Sequence, residues 1–151
     1  MKMSANILLI LRNNINMLIR YIIYGLMGLN MEIVWTGIST VSIHNRNLIG
    51  HTSIWMFFIY GAAVFIMEPI HNLIADQNWF VRGCVWTTVI FIIEFVSGMA
   101  LRAFHIEAWR YDGVCSVMGV IRLDYAPLWF IVGLCFEYIH KLLIEYGVGV
   151  K

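Results

Sequence analysis

Apolar residues fall into four long blocks along this chain, and polar residues collect between them. The first block covers about residues 18–41 and contains YIIYGLMGLNMEIVWTGIS. The second covers 54–74 with WMFFIYGAAVFIMEPI, the third 82–103 with VWTTVIFIIEFVSGMAL, and the fourth 125–144. A hydrocarbon layer about 30 Å thick is crossed by roughly 20 apolar residues in a helix, so the pattern predicts four transmembrane helices. Ahead of them Leu8, Leu11, Ile15 and Leu18 recur at helical spacing, with Arg12, Asn13, Asn16 and Arg20 largely elsewhere. That pattern predicts an interfacial amphipathic helix over residues 1–17. The apolar run from Ile7 to Leu11 is too short to span and no small-residue cleavage site follows it, so a removable signal peptide is not expected. No stretch alternates in the manner of barrel strands. The expected fold class is all-α: an integral membrane bundle of four transmembrane helices over residues 18–146, with an N-terminal interfacial amphipathic helix.

Local signals punctuate the blocks. In the connection SIHNRNLIGHTS (42–53), Thr52 or Ser53 is placed to cap the second helix. Pro69 removes a backbone donor, so that helix should kink or stop beside Glu68. A turn at Asp76 to Asn78 leads to Arg82. The longest connection, from Arg102 to Asp124, carries Trp109, Tyr111 and Ile121, which predicts a loop folded against the helices. Asp124 is placed to cap the fourth helix, with Pro127 in its first turn and Gly147 just past its end. Trp35, Trp55, Trp79, Trp109 and Trp129 lie near the expected helix ends, as an aromatic belt would.

Composition strengthens the membrane assignment. Of 151 residues, 61% are hydrophobic and 13% charged, against roughly 45–50% and about 25% in ordinary soluble domains. A soluble domain of this size lacks the surface to hide so much apolar side chain, so the expected partner is the lipid bilayer. The net charge of +1 gives no field that would attract nucleic acid. Four spans put both termini on one side. That side carries Lys2, Arg12, Arg20, Arg82, Lys141 and Lys151, and the other Arg46, Arg102, Arg110 and Arg122. The excess favours cytoplasmic termini in a cell (inner) membrane. Cys84 and Cys135 lie in apolar blocks and read as small packing residues, while Cys115 lies in a polar loop.

What composition leaves unexplained is a carboxylate in every block: Glu32, Glu68, Glu94 and Glu137. An ionised acid at a helix centre costs about 2.5–3.5 kcal/mol on insertion scales, so intramembrane acids mark function by default. They must be protonated, paired or set in a wet cavity. Glu32 has Gly28 four residues back and Gly25 seven back, and Glu68 has Gly61 seven back. Glu94 has Gly98 four ahead, and Glu137 has Gly133 four back. Offsets of four and seven share a helix face, and small-residue faces are where membrane helices approach. All four acids are therefore expected to point inward, as candidate proton or substrate sites. Supporting groups within reach on paper are Tyr60, Arg82, Arg102 and, in an i,i+4 pair with Glu137, Lys141. No GxxxxGK[ST] loop is present, so no ATP hydrolysis by that route belongs to this chain. The five histidines (44, 51, 71, 105 and 140) show no tight ligand spacing, and no metal or other cofactor is expected.

Three stretches carry a resemblance: GHTSIWMFFIYG (50–61), FIIEFVSGMALR (91–102), and AWRYDG with GVIRLDYAPLWFIVGLCFEYI (108–113 and 119–139). Together they resemble the multi-pass family labelled ABC-transporter type IV, or CmpB-like, itself similar to the vertebrate transmembrane protein 229 family. The resemblance covers roughly residues 20–140. Matching positions include Glu32, Trp35, Thr52, Ser53, Trp55, Tyr60, Gly61, Arg82, Glu94, Gly98 and Arg102. They continue with Trp109, Tyr111, Gly119, Leu123, Tyr125, Trp129, Gly133 and Glu137. Ala108 and Arg110 replace the proline and aspartate of the family's usual loop motif, and Asp112 lies two residues on. The resemblance implies an integral membrane protein and, without an ATPase motif, at most the membrane part of a transport system.

Three functions fit these residues. One is a transport-related membrane component with Glu32 and Glu94 at mid-depth, tuned by Tyr60 and Arg82. Arg102 and Arg122 are further supporting residues, and the Trp109/Tyr111 loop would cover one mouth. A second is a structural or assembly subunit whose acids are ion-paired, and a third is a small intramembrane lipid-modifying enzyme. A chain this small is expected to work as a homo-oligomer or with a partner membrane subunit.

Overall fold

A computed structural model describes residues 2–39, 41 and 46–149. Thr40 of the first expected span, residues 42–45 with His44 in the following connection, and the terminal Lys151 lie outside the described residues. The elements in order are α1 (Lys2–Ser39), α2 (Trp55–Gly61), α3 (Ala63–Ile74), α4 (Trp79–Ala103), β1 (Ser116–Val117), β2 (Ile121–Arg122) and α5 (Ala126–Glu145). Among the described residues, four stretches are long and apolar enough to cross a membrane: Asn6–Ser39, Trp55–Ile74, Trp79–Ala103 and Leu123–Glu145. The all-α class and the count of four membrane-length helices are as the sequence predicts.

The details differ in instructive ways. Residues 2–17 and the first expected span share one helix: α1 is continuous from Lys2 to Ser39. At about 1.5 Å per residue it is about 57 Å long, roughly twice the hydrocarbon thickness. Pro69 neither stops nor interrupts its helix, because α3 runs through it to Ile74. The single-residue interruption falls instead at Ala62, where the Phe65 amide donates to the Ala62 carbonyl at 3.0 Å in a tighter i,i+3 bond. Asn78 caps α4, its side chain accepting from the Val81 amide at 2.9 Å. Asp124 caps nothing: its carboxylate is taken by Arg122 at 2.8 Å, and a 3-10 turn over Leu123–Tyr125 feeds α5. Pro127 does sit in the first turn of α5, and Gly147 follows its end with φ +75°, the left-handed geometry that glycine adopts without cost at helix C-termini.

The chain divides into two compact units, residues 1–68 with 140–151 and residues 69–139. In the first, α1 packs on α2 through reciprocal insertion of rings against glycines. A side chain on Gly28 would collide with the Tyr60 ring, and one on Gly61 would come within 2.7 Å of Tyr21. Tyr21 meets Phe57 edge-on at 6.0 Å. In the second unit Trp86 stands over Gly133, and Val120 and Trp109 cover Gly98. Trp86 and Val120 are wholly buried. The glycine faces inferred from sequence are thus real contact faces, but each receives a bulky side chain, in most cases an aromatic ring, rather than a bare helix backbone.

The long connection is a folded loop, as its aromatic residues predict. Its short hairpin pairs Ser116 with Arg122 and Val117 with Ile121. Trp109 donates from Nε1 to the Val120 carbonyl at 2.9 Å, and Arg102 donates to the Gly119 carbonyl at 2.9 Å. Cys84 and Cys135 do not pack inside as expected: both are exposed on their helices. A thiol on such a face is an ordinary small apolar group where the surrounding medium is itself apolar.

Candidate functional site

The side-chain contacts made by the four carboxylates of the apolar blocks include two kinds of partner, arginines and hydroxyls. Glu68, on α3, is buried with Arg20, Tyr24 and His140. Arg20 grips it with two bonds, Nε to Oε1 at 2.7 Å and Nη2 to Oε2 at 3.1 Å. This fork geometry is the strongest arrangement open to a guanidinium and a carboxylate. The Tyr24 hydroxyl donates to Oε1 at 3.1 Å and also stands 3.1 Å from His140 Nδ1. His140 Nδ1 is itself 3.5 Å from Glu68 Oε1. Arg20 and Tyr24 face one carboxylate because offsets of four share a face of α1. The remaining Arg20 nitrogen donates to the Val148 carbonyl at 2.7 Å.

Glu137, on α5, is built the same way in the second unit. Arg82 Nε lies 3.1 Å from both of its oxygens, and Trp86 donates from Nε1 to Oε2 at 2.9 Å. His71 Nδ1 approaches Oε1 at 4.0 Å. Arg82 and Trp86 are again four residues apart on one helix. In both sets an arginine and an aromatic donor converge on a carboxylate, with a histidine beside it.

Glu32 and Glu94 are held differently, and both are half-buried. The Thr52 hydroxyl donates to Glu32 Oε2 in a short bond. Tyr111 reaches from the loop to donate to Glu94 Oε1 at 2.7 Å. Glu94 lies nine residues before the end of α4 at Ala103, about 14 Å along the helix axis. The loop therefore dips well below the end of α4. Irregular backbone is tolerated at such depth only where protein or water covers its polar groups. The loop meets that demand through Trp109, Arg102 and the bond from Ser116 Oγ to the Tyr111 carbonyl at 2.8 Å.

The supporting residues named from sequence are redistributed. Arg82 belongs to Glu137, not to Glu94. Tyr60 packs its ring against Gly28. Thr52, expected as a helix cap, serves Glu32, while Ser53 Oγ accepts from the Trp55 amide at 3.3 Å. Tyr111 holds Glu94. Tyr111 meets the Tyr125 ring edge-on at 5.5 Å, and Arg122 stacks over Tyr125 at 4.8 Å while paired with Asp124. Asp124 raises the pKa of the Arg122 guanidinium above its ordinary value. Asp112, considered as a stand-in for the missing loop aspartate, points outward and meets Arg110 at 3.4 Å.

Sequence reasoning missed Arg20, Tyr24, His71, Trp86 and His140. The amphipathic pattern sets Arg20 apart from the apolar positions of an interfacial helix, and the histidines show no tight ligand spacing. A usable signal existed: a lone basic residue inside an apolar run demands an acid as urgently as a lone glutamate demands a base.

Four membrane-length helices carrying buried, partnered charges define an integral, multi-pass helical membrane protein. Within that class, the family described as "Putative ABC-transporter type IV" matches residues 19–150, and the chain belongs to it. No solved structure matches the chain.

Proposed function

We propose that this protein is the membrane-embedded component of a transport system in which Glu32 and Glu94 handle a proton or polar substrate. Glu68 and Glu137 serve as fixed structural charges. The carrying observation is the contrast in partners: Glu68 and Glu137 are gripped by Arg20 and Arg82, whereas hydroxyl groups hold Glu32 and Glu94. An arginine pair fixes a carboxylate in its charged form, because separating the buried ions is costly. A hydroxyl donor serves a carboxylate and can turn to accept from a carboxylic acid, so it tolerates a change in protonation. Membership of the family supports the transport assignment. The same reading places the termini in the cytoplasm of an inner membrane, the first turns of α1 at the interface, and a second copy or partner subunit beside this 17.5 kDa chain.

The experiment is a four-variant comparison in proteoliposomes with a pH-sensitive dye trapped inside. Glu32→Gln and Glu94→Gln should insert and melt like the parent while slowing proton-linked flux. Glu68→Gln and Glu137→Gln should lower yield and thermal stability. Full flux in both Glu32→Gln and Glu94→Gln would remove the carboxylates from the pathway.

One observation favours a second reading, that of a structural or assembly subunit. The forked Arg20–Glu68 pair with Tyr24 and His140 around it is a satisfied network of the kind that fixes helix register. On that reading all four glutamine variants lose stability together, and flux is absent from the parent as well.

A further inference from the structure

We propose that the pocket between the end of α4 and the hairpin loop binds a small zwitterion, an anionic oxygen group with an ammonium a few bonds away. The pocket has a volume of about 340 Å³ and is walled by Arg102, Arg110, Tyr111, Asp112, Ser116 and Gly119 among others. That volume is in the range of small-molecule sites. The proposal stands apart from any transport role of Glu94 and does not require one.

Three features select the ligand. First, Arg102 is a fixed cation. Its guanidinium donates to the Met118 and Gly119 carbonyls, which are neutral and leave its charge in place. It also pairs with Glu107 at 3.8 Å, a long contact to a half-exposed carboxylate. Water screens that contact, so an anion in the pocket can compete for the guanidinium. Gly119 makes this grip possible, because it sits at φ +69° and a Cβ there would come within 3.2 Å of an Arg102 nitrogen. A cation held by backbone in advance spends little entropy when an anion arrives.

Second, the rim carries both signs. Arg110 and Asp112 are 65% and 87% exposed at their side chains. Arg110 meets Asp112 at 3.4 Å and Glu107 at 3.5 Å. Both contacts are long for charge-assisted bonds and solvent-exposed, so Arg110 and Asp112 can exchange them for a ligand. A simple anion would meet repulsion from Asp112, and a simple cation repulsion from Arg102 and Arg110. A zwitterion satisfies both ends. Third, the pocket begins at the last turn of a membrane-length helix, the level of bilayer headgroups. Phosphate-and-amine chemistry is available there from an ethanolamine lipid headgroup, or from solution as a free solute.

The test uses the full-length protein in phosphatidylglycerol nanodiscs, titrated calorimetrically with phosphoethanolamine, inorganic phosphate and ethylamine. Phosphoethanolamine should bind at least about tenfold more tightly than either single-charge probe. Asp112→Asn should weaken phosphoethanolamine about tenfold without weakening phosphate, and Arg110→Gln should weaken both. Both positions are exposed, so these variants should fold. Glu32→Gln, which touches none of the residues walling the pocket, should bind phosphoethanolamine as the parent does, which separates this site from the proposed transport role.

A second arm locates the source. Native mass spectrometry from mixed nanodiscs should show retained phosphatidylethanolamine, lost in Asp112→Asn, if the ligand is the lipid. Binding of the free compound alone assigns a solute. Equal affinity for phosphate and phosphoethanolamine, an unaltered Asp112→Asn, or no saturable binding in either arm overturns the proposal.

Discussion

Arg20 and Glu68 neutralise each other in a place where neither charge could stand alone. Both are buried, at 3% and 8% exposure, so deleting one leaves the other stranded. Breaking such a pair costs about 3–5 kcal/mol, while replacing both members by apolar groups of similar volume is often nearly neutral. Arg20→Met is therefore expected to lose about that much stability, and Arg20→Met combined with Glu68→Met to recover more than half of the loss. Reversible unfolding in mixed micelles measures both. A single-variant loss below about 1 kcal/mol would show that water reaches the pair. The same logic makes Tyr111→Phe informative at the other kind of site. It removes one donor from a half-buried carboxylate, so a loss of about 1 kcal/mol is expected rather than collapse. At this scale the glutamates were legible in the sequence, because a carboxylate in an apolar run is conspicuous. Their partners were not, because Arg20–Glu68 and Arg82–Glu137 bridge positions 48 and 55 residues apart, a distance that no local spacing rule covers.

Between helices, glycines and rings do the fitting. Gly133 lies under the fully buried Trp86, and an added Cβ would strike the Trp86 Cβ itself, which cannot swing away as a side-chain tip could. Gly133→Ala should therefore destabilise the second unit by about 1–3 kcal/mol through overpacking, read as a lowered melting midpoint. Gly113, where φ is +117° and nothing stands nearby, marks the contrasting case: alanine there suffers from backbone strain alone. Should Gly133→Ala melt like the parent, the ring-on-glycine contact is not what holds α4 to α5. The sequence told which faces were small, since offsets of four and seven follow from helix geometry. It could not tell that rings would fill them, because that depends on which residues of another element arrive opposite.

For the molecule as a whole, the cysteines offer a natural topology probe. Cys84, Cys115 and Cys135 are all exposed, but Cys84 and Cys135 lie within membrane-length helices while Cys115 lies in the loop between α4 and β1. Maleimide addition needs a thiolate and water. A membrane-impermeant maleimide applied to intact cells is therefore expected to label Cys115 and spare the other two, if the termini are cytoplasmic. Labelling of Cys115 only after the membrane is opened would reverse the orientation. Reaction at Cys84 or Cys135 in an intact bilayer would contradict the membrane placement of α4 or α5.

By itself, the sequence determined the solvent and the class of this protein. Sixty-one per cent hydrophobic residues and four runs of bilayer length follow from composition and one-dimensional spacing, and both survive any arrangement of the helices. It also determined that four carboxylates needed company. Only the tertiary structure decided what company each one keeps. It gave arginines to Glu68 and Glu137 and hydroxyls to Glu32 and Glu94, and it turned residues 104–122 into a loop that reaches Glu94 through Tyr111. The physical reason is that charge burial sets a demand locally, while the group that meets it is chosen by packing between segments far apart in the chain.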